Sequence, residues 1–159
     1  MKTNEIITKV QIYKIEESDN EKKMLIEKAQ EACARAYAPY SNYHVGAAIL
    51  LDTGEVITGN NQENAAYPSG LCAERTAFFY ANSKYPNMKV RMIAVAAFHN
   101  GEFSKEVCTP CGSCRQVMSE MEDKNKEPIK ILMCSKDTVY ELGSVKDLLP
   151  LSFGFESMA

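Results

Sequence analysis

Cys72-Ala73-Glu74 and Pro110-Cys111-Gly112-Ser113-Cys114, with Cys111 39 residues after Cys72, constrain this chain more than any other feature. Three thiols converging on one zinc leave the fourth of its positions for water, which is the ligand count of a catalytic site rather than a structural one. Glu74 adds a carboxylate for proton transfer at that point. Residues three apart share a helix face and residues two apart do not. Cys111 and Cys114 can therefore grip one ion from the first turn of a helix. Cys72 and Glu74 can both face that ion only if Cys72 sits at the cap or first turn of its own helix. Both motifs are expected at helix N-termini, where partial positive charge and free amide donors favour thiolate over thiol.

Three thiolates on a dication leave a net charge of −1, and so anionic a site polarises water less than a neutral one. Arg75, three residues after Cys72, is placed to donate a charge-assisted hydrogen bond to a ligand sulfur and restore Lewis acidity. The candidate set is thus Cys72, Cys111 and Cys114 as ligands of one zinc per subunit, Glu74 as acid and base, and Arg75 behind the ligands. Cys108 offers a competing pattern, Cys108-x-x-Cys111-x-x-Cys114. With Cys72 it would give four thiols, enough for a closed structural zinc or an iron–sulfur cluster. Against that reading, Met118 stands where a ferredoxin run wants a cysteine, and a closed site leaves Glu74 without a task.

The 159 residues, 45% of them hydrophobic, suit a single domain with a real core. No run approaches the ~20 apolar residues of a membrane span, and no charged, apolar leader opens the chain, so a cytoplasmic protein with no membrane partner is expected. A net charge of −3 with no basic block gives little attraction for phosphate backbones, which argues against nucleic acid as a partner. Six cysteines in a core-rich chain of this size point to metal or catalysis rather than a disulfide framework.

Ile6 to Ile15 partly alternates in the strand manner, and Ser18-Asp19-Asn20-Glu21 resembles a capping box opening a helix that ends before Pro39. Val45 to Leu51 and Glu55 to Thr58 flank the hairpin signal Asp52-Thr53-Gly54. A helix from about Cys72 to Asn82 follows, then a buried strand near Arg91 to Phe98. The second cysteine helix is expected from about Gly112 to Glu122, ahead of strands near Ile129 to Cys134 and Thr138 to Glu141. The charged stretch Glu120 to Glu127 reads as a solvated helix end. This order describes an α/β fold of three layers, α/β/α, around a central mixed sheet.

With those residues read, the chain resembles the small, zinc-dependent, homotetrameric cytidine deaminases. The zinc deaminases carry Cys- or His-x-Glu followed by Pro-Cys-x-x-Cys, with a glutamate that is not a ligand. The likeness runs from about Ala38-Pro39-Tyr40-Ser41 to about Phe153. It includes Val45-Gly46-Ala47-Ala48, Asn61 to Pro68, Leu71 to Ala77 and Cys114-Arg115-Gln116-Val117. About residues 1–20 fall outside it as an N-terminal extension, with an added edge strand the expected use.

The resemblance implies hydrolytic deamination of free cytidine and deoxycytidine to uridine and deoxyuridine with release of ammonia, a step of pyrimidine salvage. It implies Glu74 as the proton shuttle and places backbone groups of Ala73 and Cys111 against the amine and the developing oxygen. Asn61 and Glu63, two apart on an extended segment, project to one side; the spacing alone leaves a self-satisfied polar loop equally open, and the resemblance assigns them to the sugar. Tyr43 takes a stacking position where these enzymes usually have phenylalanine. Phe153 resembles a phenylalanine that enters a neighbouring subunit's site, so a homotetramer with shared sites is implied. Editing deaminases and antibiotic deaminases share the zinc motifs; the acidic charge disfavours the first and the Asn61 to Pro68 segment the second.

Overall fold

The computed structural model describes residues 1–158. Its centre is β2 (His44–Leu51), whose side chains are buried on both faces from Gly46 onward. A strand with no polar alternation needs cover on two sides, and it receives it. Ala48 and Leu50 pack with Leu25, Ile26, Ala29 and Cys33 of α1 (Asn20–Cys33). Ala47, Ile49 and Leu51 pack with Ala77 and Phe78 of α2 (Ala73–Lys84) and with Met118 of α3 (Gly112–Asn125). The three layers follow from that division.

The remaining strands are β1 (Gln11–Lys14), β3 (Val56–Asn60), β4 (Val90–His99), β5 (Glu102–Phe103), β6 (Lys130–Cys134) and β7 (Thr138–Leu142). They form one sheet in the order β1-β7-β6-β4-β2-β3, with β5 folded back on the end of β4. Among the strand pairs of the described residues, β4 and β6 run parallel and the others antiparallel. The β2–β3 hairpin turns through Asp52-Thr53-Gly54, where Gly54 has φ +85°, a left-handed conformation that glycine takes without strain.

Three local readings change. The alternating stretch Ile6 to Ile15 yields only the four residues of β1 before a 3-10 turn at Ile15–Glu17, because its apolar side chains Ile6, Ile7, Val10 and Ile12 find no core and stay exposed. Helix α1 is capped by Asp19, whose carboxylate accepts from the Lys22 amide at 2.9 Å, and not by Ser18. Glu122 is 5% exposed rather than solvated. Its carboxylate accepts from the Ile129 and Val145 amides, each at 2.8 Å, and from the Ser144 hydroxyl at 2.6 Å. A charged residue thus holds α3 to the start of β6 and to the chain after β7.

Two glycines let helices approach the sheet. A Cβ at Gly46 would lie 2.0 Å from the carbonyl oxygen of Ala29 in α1, and one at Gly59 would lie 2.5 Å from Ala73 O and Ala77 N in α2. The second contact seats the first turn of α2 directly on β3.

Candidate metal and substrate site

Cys72 is the N-cap of α2 and Cys111 the N-cap of α3, each in extended backbone (φ −71°, ψ 156° and φ −67°, ψ 167°). Neither cap sulfur accepts a capping hydrogen bond from its own helix, and the two sulfurs face each other across the gap between the helices. Cys72 Sγ lies 3.8 Å from Cys111 Sγ, and Cys111 Sγ lies 3.5 Å from Cys114 Sγ. All three ligand atoms fall within 4.8 Å of one another. Tetrahedral zinc with Zn–S bonds of about 2.3 Å sets its sulfurs about 3.8 Å apart, so the donor set fits that ion. Cys108 is outside this group; it is buried, and the closed four-thiol reading lacks its fourth ligand.

The electrostatics match a cation site. Hydrogen bonding with the Cys114 thiol, then with Arg75 and Cys111, draws the Cys72 thiol down to about 5. The same Cys72 contact, together with burial, drives Cys114 upward. Arg75 Nη2 donates to Cys72 Sγ at 3.6 Å, while its Nε is buried with no hydrogen-bond partner among the described residues. Glu74 lies in the first turn of α2, 4% exposed; burial, and next the charge on Cys72, raise its carboxyl above the ordinary range.

A cavity of about 510 Å³ is lined by Cys72 and Arg75 of this group together with Asn61, Glu63 and Tyr40, while Glu74, Cys111 and Cys114 are not among its lining residues. The wall is built by backbone stitching. Gln62 exchanges hydrogen bonds with Leu71 (2.8 and 2.9 Å), the residue before Cys72, and Tyr37 bonds on the other side to Asn61 and Glu63 (3.0 and 2.8 Å).

Asn61 and Glu63 both hold the loop that precedes β2. Asn61 Oδ1 accepts from the Val45 amide at 2.8 Å, and its Nδ2 donates to Tyr43 O at 2.9 Å. Glu63 accepts from the Tyr40 and Ser41 amides at 2.8 and 3.2 Å and from the Ser41 hydroxyl. The hydroxyl contact leads the causes that hold the exposed Glu63 carboxyl below its ordinary range. Neither side chain is saturated, since an amide offers two donors and two lone pairs and a carboxylate about four acceptor sites.

Tyr43, like Cys72, packs against the core cluster, its ring 5.7 Å from that of His99, and does not line the cavity. His99 Nδ1 bonds to Asn42 O at 2.7 Å. Phe153 is 62% exposed and stands away from its own chain's cavity. The sequence reading missed Tyr40 and Ser41, which lie 23 and 22 residues from Glu63 and carry no spacing signal toward it.

An α/β/α sheet protein with three cysteine sulfurs gathered between two helix N-termini, and a buried carboxylate one residue inside, is a zinc-binding domain of the hydrolytic kind. Residues 19–126 match the family described as the cytidine and deoxycytidylate deaminase zinc-binding region. This chain belongs to that family. Cytidine deaminase of Halalkalibacterium halodurans is 39% identical, with 87% of this chain and 98% of that relative covered. Among solved structures, cytidine deaminase from Burkholderia pseudomallei is 39% identical with a TM-score of 0.68, covering 82% of this chain and 98% of its own. That from Mycobacterium tuberculosis is 34% identical with a TM-score of 0.67, covering 86% and 100%.

Proposed function

We propose that this protein is a cytidine deaminase that hydrolyses free cytidine and deoxycytidine to uridine and deoxyuridine with release of ammonia. The observation that carries the reading is the gathering of Cys72, Cys111 and Cys114 within 4.8 Å beside the buried Glu74. Zinc held by those three sulfurs supplies Lewis acidity toward water at neutral pH. The chain's own residues supply the rest. Glu74, its affinity for protons raised by burial, takes one from the attacking water and passes it to the ring nitrogen beside carbon 4. A second proton travels through the same carboxylate to the amine, which departs as ammonia. Arg75 offsets the excess negative charge of the sulfurs from the side facing Cys72.

Asn61 and Glu63 hold the sugar hydroxyls from the cavity wall, using the donor and acceptor capacity that the loop leaves free. Backbone groups of Ala73 and Cys111 meet the amine and the developing oxygen. Tyr43 backs the base, and Phe153 closes a neighbouring subunit's site. The enzyme works in this reading as a cytoplasmic homotetramer in pyrimidine salvage, residues 1–159 forming one deaminase domain with about 1–20 as an extension. Six free cysteines support a reducing compartment, and the aromatic side chains left exposed at Tyr67, Phe79, Tyr80 and Phe153 support subunit contacts. Among the described residues no helix is long and apolar enough to cross a membrane.

Metal analysis of the purified protein alongside ultraviolet monitoring of cytidine, deoxycytidine and cytosine tests the proposal. One zinc per chain and turnover of both nucleosides are expected; failure on both nucleosides would discard it.

A further inference from the structure

Helix α3 begins with metal-site cysteines and then sends two consecutive side chains to the C-terminal segment. Arg115 Nε donates to Pro110 O at 2.8 Å and its Nη1 to Leu148 O at 2.9 Å, tying the cysteine loop to the start of that segment. Gln116 Nε2 donates to Phe153 O at 2.8 Å. From Leu148 to Gly154 the backbone forms no helix or strand, and Leu151 turns it at φ +56°. Among the described residues, the Gln116 contact is the one hydrogen bond that fastens Leu151 to Gly154 to the body of the fold.

Close packing reinforces that contact. A Cβ at Gly154 would meet the Asp123 carboxylate of α3 at 3.0 Å, so the backbone after Phe153 lies against the same helix two turns on. The main chain is clamped while the side chains are not: Leu151 is 93% exposed, Phe153 62% and Phe155 72%. An apolar tail left free would lose conformational entropy on meeting a partner, and a tail already ordered loses less.

We propose that Gln116 is a positioning residue that sets the direction in which Phe153 leaves its own subunit and enters the neighbour's cavity. The inference rests on the reading that Phe153 acts across a subunit boundary. Gln116 then acts in trans. Removing its donor disorders the tail of one subunit and weakens nucleoside binding in the next, without touching the chemistry of either.

Gln116→Glu keeps the shape, loses the N–H and sets a carboxylate against a carbonyl. In the homomeric enzyme KM should rise roughly three- to ten-fold, the worth of about one hydrogen bond, with kcat within about two-fold. A tagged wild-type chain co-expressed with an excess of Glu74→Gln/Gln116→Glu chains and purified by its tag then reports KM from wild-type sites alone. Those sites should show the raised KM, as should wild-type sites surrounded by Glu74→Gln/Phe153→Ala chains. The native sequence has no tryptophan, so Phe153→Trp gives a second readout. Its emission should shift to the red when Gln116→Glu is added. A wild-type KM with Gln116→Glu donors and a raised KM with Phe153→Ala donors would overturn the role of Gln116 and leave the shared site standing. A wild-type KM with both would overturn the shared site itself.

Discussion

Gly59→Ala asks whether the backbone of β3 sets the position of the sulfur-bearing end of α2. The added Cβ would lie 2.5 Å from Ala73 O and Ala77 N and 2.9 Å from Ala77 Cβ, against 3.4 Å for ordinary contact. The nearest obstacles are main-chain atoms, so no rotamer change relieves the clash, and α2 must retreat by about 1 Å to recover van der Waals distance. Overpacking of this kind costs about 1–3 kcal/mol. At about 2–4 °C per kcal/mol for a chain of this length, Tm should fall by roughly 2–12 °C.

The metal site responds to the movement itself. Cys72 caps the displaced helix, and a shift of about 1 Å against Cys111 and Cys114 is several times the ~0.2 Å tolerance of zinc–ligand distances. Zinc affinity should drop about 10- to 100-fold, the range for removing outer support from a ligand. Gly46→Ala is the control: its Cβ would meet Ala29 O at 2.0 Å and Cys33 N at 2.7 Å on the opposite face of the sheet. It should lose at least as much stability and keep its zinc affinity. Competition with a chromophoric chelator, at a temperature where both variants are folded, separates the two effects. Equal zinc affinity in the two variants would refute the argument that β3 positions the site.

Glu74→Gln should keep one zinc per chain and lose nearly all turnover, and more than a few per cent residual activity would remove Glu74 from proton transfer. Burial, and next the charge of Glu74, push the Cys108 thiol up to about 12, so it stays neutral at working pH; Cys108→Ser should retain both zinc and turnover, and a fall in metal stoichiometry would make it a ligand. Glu141, 6% exposed, faces Lys22 at 2.7 Å, Lys130 at 3.1 Å and the Tyr13 hydroxyl. Burial alone would raise its carboxyl, but the hydrogen bonds from Lys22, Tyr13 and Lys130 outweigh it and hold the group below the ordinary value. A carboxyl depressed in the folded state contributes stability above its unfolded value near pH 4, lost as pH falls through the folded one. Glu141→Gln should therefore cost about 1.5–3 kcal/mol at pH 7, and the gap in chemical unfolding should close toward acid pH; a constant gap would refute the linkage.

The layering and the cysteine cluster were legible because each rests on short-range pattern. The order of helix and strand signals called for three layers, and Cys-x-Glu with Pro-Cys-x-x-Cys called for two helix starts. What stayed illegible depends on partners far along the chain. Glu122 looks like any charged residue near a helix end until Ile129, Ser144 and Val145 are brought to it. β1 is short for a reason its own sequence does not show: only Gln11 to Lys14 face β7, and Ile6 to Val10 have nothing to pack on. The Ser18 capping pattern is displaced by one residue because the helix starts at Asn20, which makes Asp19 the N-cap and the Lys22 amide the one its carboxylate serves.

The loop role that Asn61 and Glu63 have in the structure does not exclude the sugar contact proposed for them. Each side chain satisfies loop backbone: Asn61 bonds to Tyr43 O and the Val45 amide, and Glu63 to the Tyr40 and Ser41 amides. Each also lines the cavity that Cys72 and Arg75 line. A polar group preorganised by its own loop loses little entropy when a ligand takes its remaining donors and acceptors. The loop they hold is the one that carries Tyr43, so in the proposed enzyme recognition of the sugar and placement of the aromatic behind the base share one set of hydrogen bonds. Truncating Asn61 would disturb both ends of the nucleoside together, which is why a polar loop that looks merely self-satisfied can still be the part of the wall that reads the substrate.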